Sequence, residues 1–155
     1  MRRYNQEIID KYVIEDILSK SLICRIGMVS DGVSYIVPLN YGYEKNTIYI
    51  HSASEGKKID FLRTNNKVCF EIEDTIEIVK KDISCEWATK YRSLIGHGTV
   101  EIITDFEQKK HGLDIIMSQH GKAENNVYKE NQIEKMVILK LTIENVSGKQ
   151  SKNWN

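Results

Sequence analysis

The chain has 155 residues, 41% of them hydrophobic and 28% charged, and its 22 basic and 22 acidic side chains give a formal net charge of zero. That balance is expected of a globular protein built as one domain over residues 1–155. It announces no basic face for nucleic acid, and no run approaches the roughly 18 apolar residues of a membrane-spanning helix. The opening MRRYNQEIIDKY lacks the apolar run of a signal peptide. Cys24, Cys69 and Cys85 are odd in number and form no CxxC pair, so a zinc knuckle or disulfide framework is unsupported and a reducing cytoplasm is the expected setting.

In chain order, the sequence predicts a helix within 6–20, where Val13, Ile14, Ile17 and Leu18 make an apolar stripe at helical spacing. Strands follow at 22–30, 33–43 and 47–51, joined by an Asp31-Gly32 turn and by a second turn at Glu44-Lys45-Asn46. A helix over 55–64 precedes a strand at 67–73. The segment 74–91 gives only a strand-like piece at 76–80 and a loop carrying Cys85 and Trp87, a candidate lid. Residues 92–104 read as a strand with glycines at 96 and 98. Thr104-Asp105-Phe106-Glu107 carries a capping-box signature for a helix running to about 118. A polar stretch at 119–134 leads to the last strand, 136–146, and a polar tail containing Trp154. Six strands with mainly hairpin connections and three peripheral helices predict a mainly β fold, a six-stranded antiparallel barrel rather than a doubly wound sheet. Pro38, inside a strand, belongs at an edge or a bulge, where its missing N–H does no harm.

The most informative stretch is Tyr35 to Leu62, in which a strand ending at His51 runs through Ser52-Ala53-Ser54 into a helix whose first turn carries Gly56, Lys57 and Lys58. Cations at a helix N-terminus oppose the dipole by about 0.3–1 kcal/mol each. Beside hydroxyls and free N–H groups they make sense if an anion, naturally a phosphate, binds there; the alternative is two solvated lysines on a helix capped by serines. Gly96 and Gly98 leave one strand face bare, either for close approach of a ligand or for a barrel bend, with His97 on the opposite face. His51 is either a hydrogen-bonded packing residue or a proton donor. His111 and His120 form no metal motif.

YIVPLNYGYE, IYIHSASEGKK, YRSLIGHG and the closing strand, taken in order over nearly the whole chain, resemble the flavin-binding split-barrel superfamily. The resemblance is to the pyridoxamine 5′-phosphate oxidase-related proteins, nearest the nitroimidazole-resistance branch. It implies an FMN-binding split barrel, with FAD as the other form of the cofactor, and a homodimer with flavin at the subunit interface. Carried over by position, Val37, Pro38 and Asn40 would face the isoalloxazine edge, and Ile50, His51 and Ser52 would end the second flavin strand. Lys57 would grip the phosphate, and Arg92 and Ser93, with Tyr91, would reach phosphate and ribityl chain. His51 matches a histidine near the flavin ring in that branch and becomes the candidate catalytic residue. A barrel this small cannot enclose a flavin, since even eight strands hold only one small ligand, so the cofactor would lie in an outer groove closed by a second subunit. The Pro38 edge, the glycine pair and the tail with Trp154 are the surfaces expected near that seam, with Tyr35, Tyr41, Tyr43, Tyr49 and Tyr91 around the site.

The departures matter too. No arginine follows Arg92, which disfavours a pyridoxamine phosphate substrate, and no histidine follows His120, which disfavours the haem-handling relatives. The expected activity is a flavin-dependent oxidoreduction of a small, nitroaromatic or similar, acceptor; the alternative is a flavin-binding module without turnover, a carrier, sensor or scavenger. No GxGxxG nicotinamide fingerprint is present.

Overall fold

The computed structural model describes residues 4–151 and 154. The extreme N-terminal residues and the rest of the polar tail, to which the leader and seam expectations partly refer, lie outside the described residues. A short β1 (Glu7–Ile8) precedes α1 (Lys11–Lys20), which starts on an Asp10 cap accepting from the Tyr12 N–H at 2.9 Å. β2 (Ile23–Ser30) and β3 (Val33–Asn40) form a hairpin, followed by β4 (Gly42–Glu44) and β5 (Thr47–Ala53). Both turns are type I′ in character, with Asp31 at φ 51 and Gly32 at φ 76, and Lys45 at φ 46 and Asn46 at φ 64. After α2 (Lys57–Thr64) come the long β6 (Lys67–Val79) and β7 (Ala88–Ile103), then α3 (Phe106–Gln119), α4 (Glu130–Glu134) and β8 (Met136–Gln150).

The sheet is antiparallel, in the order β3-β2-β6-β7-β8-β5-β4, with β1 added to β8. All six expected strands are present, and two short ones raise the count to eight. One is β1, too short to carry a periodicity. The other is β4, which splits off the expected 33–43 strand because Tyr41 bends the chain to bury its ring and donate its hydroxyl to the Leu18 carbonyl at 2.8 Å. One face of the curled sheet encloses Cys24, Ile26, Met28, Ile50, Phe70, Ile72 and Leu94, with α1 adding Ile17 and Leu18 and α2 adding Ile59 and Leu62. A smaller cluster under α3 joins Ile115 and Ile116 to Tyr49, Ile103 and Ile138. Burial pushes the Cys24 thiol up to about 12, an inert packing group.

Two expectations change here. The cap of α3 is Asp105, not Thr104; Asp105 accepts from the Gln108 N–H at 2.9 Å. The polar 119–134 stretch contains α4, held because the buried Lys109 donates to the carbonyls of Ile133 at 2.6 Å and Met136 at 3.1 Å. Gly96 and Gly98 sit at a bend of the barrel, and Gly98 also lines a cavity of about 480 Å³ with Gly27, Cys69 and His97. A Cβ on Gly96 would strike the Phe70 ring and the Asn145 carbonyl, one on Gly98 the Thr142 carbonyl, and the β7–β8 register shifts between His97 and Gly98. Their missing side chains are what the close packing at that bend requires. Among the described residues no helix is long and apolar enough to cross a membrane.

Candidate functional site

β3 ends the sheet path and is paired on one side only, where Pro38 sits opposite Arg25. This is the edge position that tolerates proline. Pro38 and Asn40 are exposed and Val37 is half-buried, so the backbone of this strand faces open space beside β5. Ile50 is fully buried in the core, which leaves only its backbone for any ligand. Ser52 is also buried, and its hydroxyl donates to the Ala53 carbonyl at 3.0 Å.

Ser52 therefore does not cap the helix that follows. The cap position of α2 is Gly56, with φ 115 and no side-chain hydrogen bond. The first N–H groups of α2 have no side-chain acceptor, and a helix start in this condition suits an anion. Two lysines flank it, and they differ. Lys57 is exposed, with its ammonium 4.7 Å from the centre of the Tyr35 ring and 5.6 Å from that of Phe61, cation–π distances. Lys58, turned about 100° away, is half-buried, and burial lowers its ammonium below the usual lysine range.

His51 lies near the end of β5, which runs two residues further to Ala53, beside this helix start. Its ring is still reached by solvent, but the protein packed around it, then Lys58, then His120, hold the imidazole below its ordinary value, so it stays neutral at neutral pH. His51 and Asn40 line one cavity of about 360 Å³, whose remaining walls are Leu113, Ile116, Met117 and His120. Sequence reasoning did not place His120 here. Its signal was the SQHG segment, a helix stop in which Gly121 takes φ 96 and His120 becomes the cap of α3.

Arg92, Ser93 and Tyr91 stand elsewhere. Ala53, at the α2 end of β5, pairs with Met136, whereas Arg92 pairs with Gln150 at the other end of β8. At the usual rise per residue those positions are separated by roughly 45 Å of strand. Within one chain, Lys57 and Arg92 do not converge. Arg92 is half-buried; its guanidinium lies 3.9 Å from the centre of the Trp154 ring, and its buried Nε has no hydrogen-bond partner among the described residues. A buried charged donor left in this state is incomplete without an acceptor. The tyrosines are dispersed as well. Tyr41 lies in the core, Tyr43 bonds Glu15, Tyr49 packs on His111, and only Tyr35 adjoins Lys57.

Beyond Arg92, β6 and β7 continue as a two-stranded arm after a register shift between Glu73 and Ile76. The arm exposes Ile76, Ile78, Ile83 and Trp87, and the Trp87 indole donates to the Lys81 carbonyl at 2.7 Å. Cys85 and Trp87 thus belong to the arm's tip at the Arg92 end of β7, away from His51.

An uncapped cationic helix start, an open strand edge and an orphaned arginine Nε are what an anionic, planar cofactor would require, distributed over two ends of the chain. A sequence model of the family described as pyridoxamine 5′-phosphate oxidase matches residues 10–150. No curated protein matches the sequence. Among solved structures, a candidate 5-nitroimidazole antibiotic resistance protein from Bacteroides thetaiotaomicron VPI-5482 is 34% identical, with 93% of this chain and 86% of that one covered at a TM-score of 0.83. The FAD and heme binding protein of Mycobacterium smegmatis, at 22% identity, covers 96% and 75% with a TM-score of 0.83. The flavocytochrome Anf3 of Azotobacter vinelandii, at 20% identity, covers 97% and 72% with a TM-score of 0.80. At such identities the last two show the shared fold alone.

Proposed function

The chain belongs to the pyridoxamine 5′-phosphate oxidase family, on the branch of the 5-nitroimidazole resistance proteins, and on that premise we propose that it is a dimeric, FMN-dependent oxidoreductase that reduces a small acceptor of nitroaromatic type. The observation that carries the reading is the start of α2, where uncapped N–H groups meet Lys57 and Lys58 next to the free β3 edge. FMN supplies the redox chemistry when bound, and the chain supplies placement and electrostatics. Lys57 would hold the phosphate as a point charge, and Arg92 would add charge-assisted hydrogen bonds through its fork. Backbone groups around Val37, Pro38 and Asn40 would face the ring edge, as would the strand end at Ile50, His51 and Ser52. Ser93 and Tyr91 would flank the ribityl chain. His51, neutral at rest, would position the acceptor or hand it a proton.

The separation of Lys57 from Arg92 supports a homodimer in which each site takes Lys57 from one chain and Arg92 from the other. The apolar arm and the exposed Ile23, Ile36 and Ile95 on the outer sheet face give such a dimer something to bury. The three free cysteines suit a cytoplasmic setting. Purified protein should show the absorbance bands of oxidised flavin, and mass spectrometry of the released chromophore should return FMN rather than its adenylate. A colourless protein that ignores micromolar flavin contradicts the reading. Steady-state oxidation of reduced nicotinamide, with and without a nitroaromatic acceptor, separates an enzyme from a flavin carrier, sensor or scavenger; flavin bound without acceptor-dependent turnover selects the latter.

A further inference from the structure

β2, β6, β7 and β8 lie side by side, and their register sets one residue of each in a row on the outer face of the sheet. Gly27 pairs with Cys69, Cys69 with His97, and His97 with Asn145. Cys69 and His97 are exposed, and with Gly27, Ile36, Lys67 and Glu144 they line a cavity of about 480 Å³, within the usual range for small ligands. The flavin reading assigns nothing to this row. We infer that Cys69, His97 and Asn145 form a second reactive site, at which Cys69 exchanges with a small aliphatic disulfide.

The chemistry follows from the order of the row. His97 Nδ1 lies 3.1 Å from Asn145 Oδ1. An amide oxygen can only accept, so Nδ1 carries the hydrogen and Nε2 keeps its lone pair. On the other side of His97 the cross-strand neighbour is Cys69, and directly opposed Cβ atoms stand roughly 4.5–5.5 Å apart. This is the relation of a nucleophile to a base that a third group orients. The thiol has room to turn, since its Sγ makes only a long contact, 3.8 Å, to the Gly27 carbonyl. A Cβ at position 27 would stand 2.6 Å from that sulfur, so the glycine is what leaves it space. The charges around the cavity are Lys67 on β6 and Glu144 on β8, whose carboxylate accepts from the Thr99 hydroxyl. In the next row Arg25 on β2 bridges Glu71 and Glu73 on β6, each at 2.9 Å. In the exchange the Cys69 proton passes to His97 Nε2 and Sγ attacks one sulfur of the disulfide. A new S–S bond forms on Cys69 as the old one breaks, and the departing thiolate takes the proton from His97. Cys69 is oxidised to a mixed disulfide, the departing sulfur is reduced to a thiol, and the disulfide is the only oxidant consumed.

Two other thiols in the same chain serve as comparisons: Cys24, buried in the core, and Cys85, exposed on the arm in a short turn without a cross-strand partner. The test treats the full chain with bis(2-hydroxyethyl) disulfide at neutral pH and follows the adduct on each cysteine by mass spectrometry of its peptide. The proposed dimer would turn Ile36 and Ile95 inward over this cavity, so rates are read on flavin-free protein at nanomolar concentration, which favours separated chains. Cys69 should react about tenfold faster than Cys85 or more, and Cys24 should stay unmodified. His97→Ala should slow Cys69 about fivefold or more and leave Cys85 unchanged. Millimolar imidazole should then restore Cys69 alone, a rescue that a merely structural role would not give. Labelling of Cys24 in that variant would report unfolding, and His97→Gln then takes its place. Wild-type Cys69 reacting no faster than Cys85 overturns the inference, and that comparison needs no variant. An unchanged Cys69 rate after loss of the imidazole ring overturns it equally. No flavin enters the assay, so the result is read independently of the proposed function.

Discussion

The two ends of β8 make an instructive pair. At the Met136 end, β5, α2 and α3 crowd together, and basic groups share limited space: Lys58 is half-buried, His51 is held neutral, and Lys57 is drawn over the Tyr35 and Phe61 rings. At the Gln150 end the sheet opens into the β6–β7 arm, whose apolar side chains meet solvent, and Arg92 stacks on Trp154 with its Nε unpartnered among the described residues. On the proposed reading each end holds part of a phosphate grip and neither holds all of it. Local chemistry identifies the groups that suit a phosphate, whereas strand register decides whether they can meet. Within one chain they do not meet, and on the proposed reading a second chain brings them together.

Breaking either end should cost the most. Lys57→Ala and Arg92→Ala should each weaken FMN binding by about 1.5–3 kcal/mol, the worth of a charge-assisted hydrogen bond, measured by quenching of flavin fluorescence. Lys58→Ala should cost much less, because its side chain is turned about 100° from that of Lys57; equal losses at 57 and 58 would mean a diffuse patch of charge. A smaller effect tests the far end alone. Trp154→Ala removes the surface on which the Arg92 guanidinium is stacked, worth about 0.5–1 kcal/mol, and should weaken FMN binding by no more than that while leaving Lys57 unaffected. An unchanged affinity would show that the stacking does not orient Arg92.

The smallest effect concerns the near end without ligand. The pKa of His51 is lowered in the folded chain, so between that value and the ordinary 6.5 the unfolded chain binds more protons. This contribution to stability is present above pH 6.5 and is lost as pH falls toward the folded value. Denaturation midpoints of wild type and His51→Asn should therefore diverge on the alkaline side of that window and converge below it. A pH-independent difference would mean that His51 acts through packing only.

Much of this was legible in the residues. The Asp31-Gly32 turn, the strands β2, β5 and β8, and the Gly56-Lys57-Lys58 helix start depend on neighbours close in sequence, and they hold in the structure. Within 74–91 only the strand-like piece at 76–80 was legible, and β6 runs through it to Val79; the rest was not, because both faces of the arm meet solvent and no core imposes a period of two. Gly96 and Gly98 looked alike as ligand clearance or bend, and only the Phe70 ring and the bulge opposite β8 reveal the bend. His120 was invisible as a cavity residue because α3 brings it to His51 from far along the chain. The tyrosines misled for the opposite reason: they are close in sequence, but strand alternation and the bend at Tyr41 send them to different places.

The shared-site claim has one direct test. Lys57→Ala and Arg92→Ala chains, each deficient in FMN binding alone, are mixed, exchanged by mild dissociation and reassociation, and titrated with FMN. If each site takes Lys57 from one chain and Arg92 from its partner, a mixed dimer carries one doubly altered site and one intact site. With random exchange about a quarter of all sites should then regain wild-type affinity. If Lys57 and Arg92 serve the same site from the same chain, every site in the mixture keeps one defect and no high-affinity fraction appears, which would contradict the account.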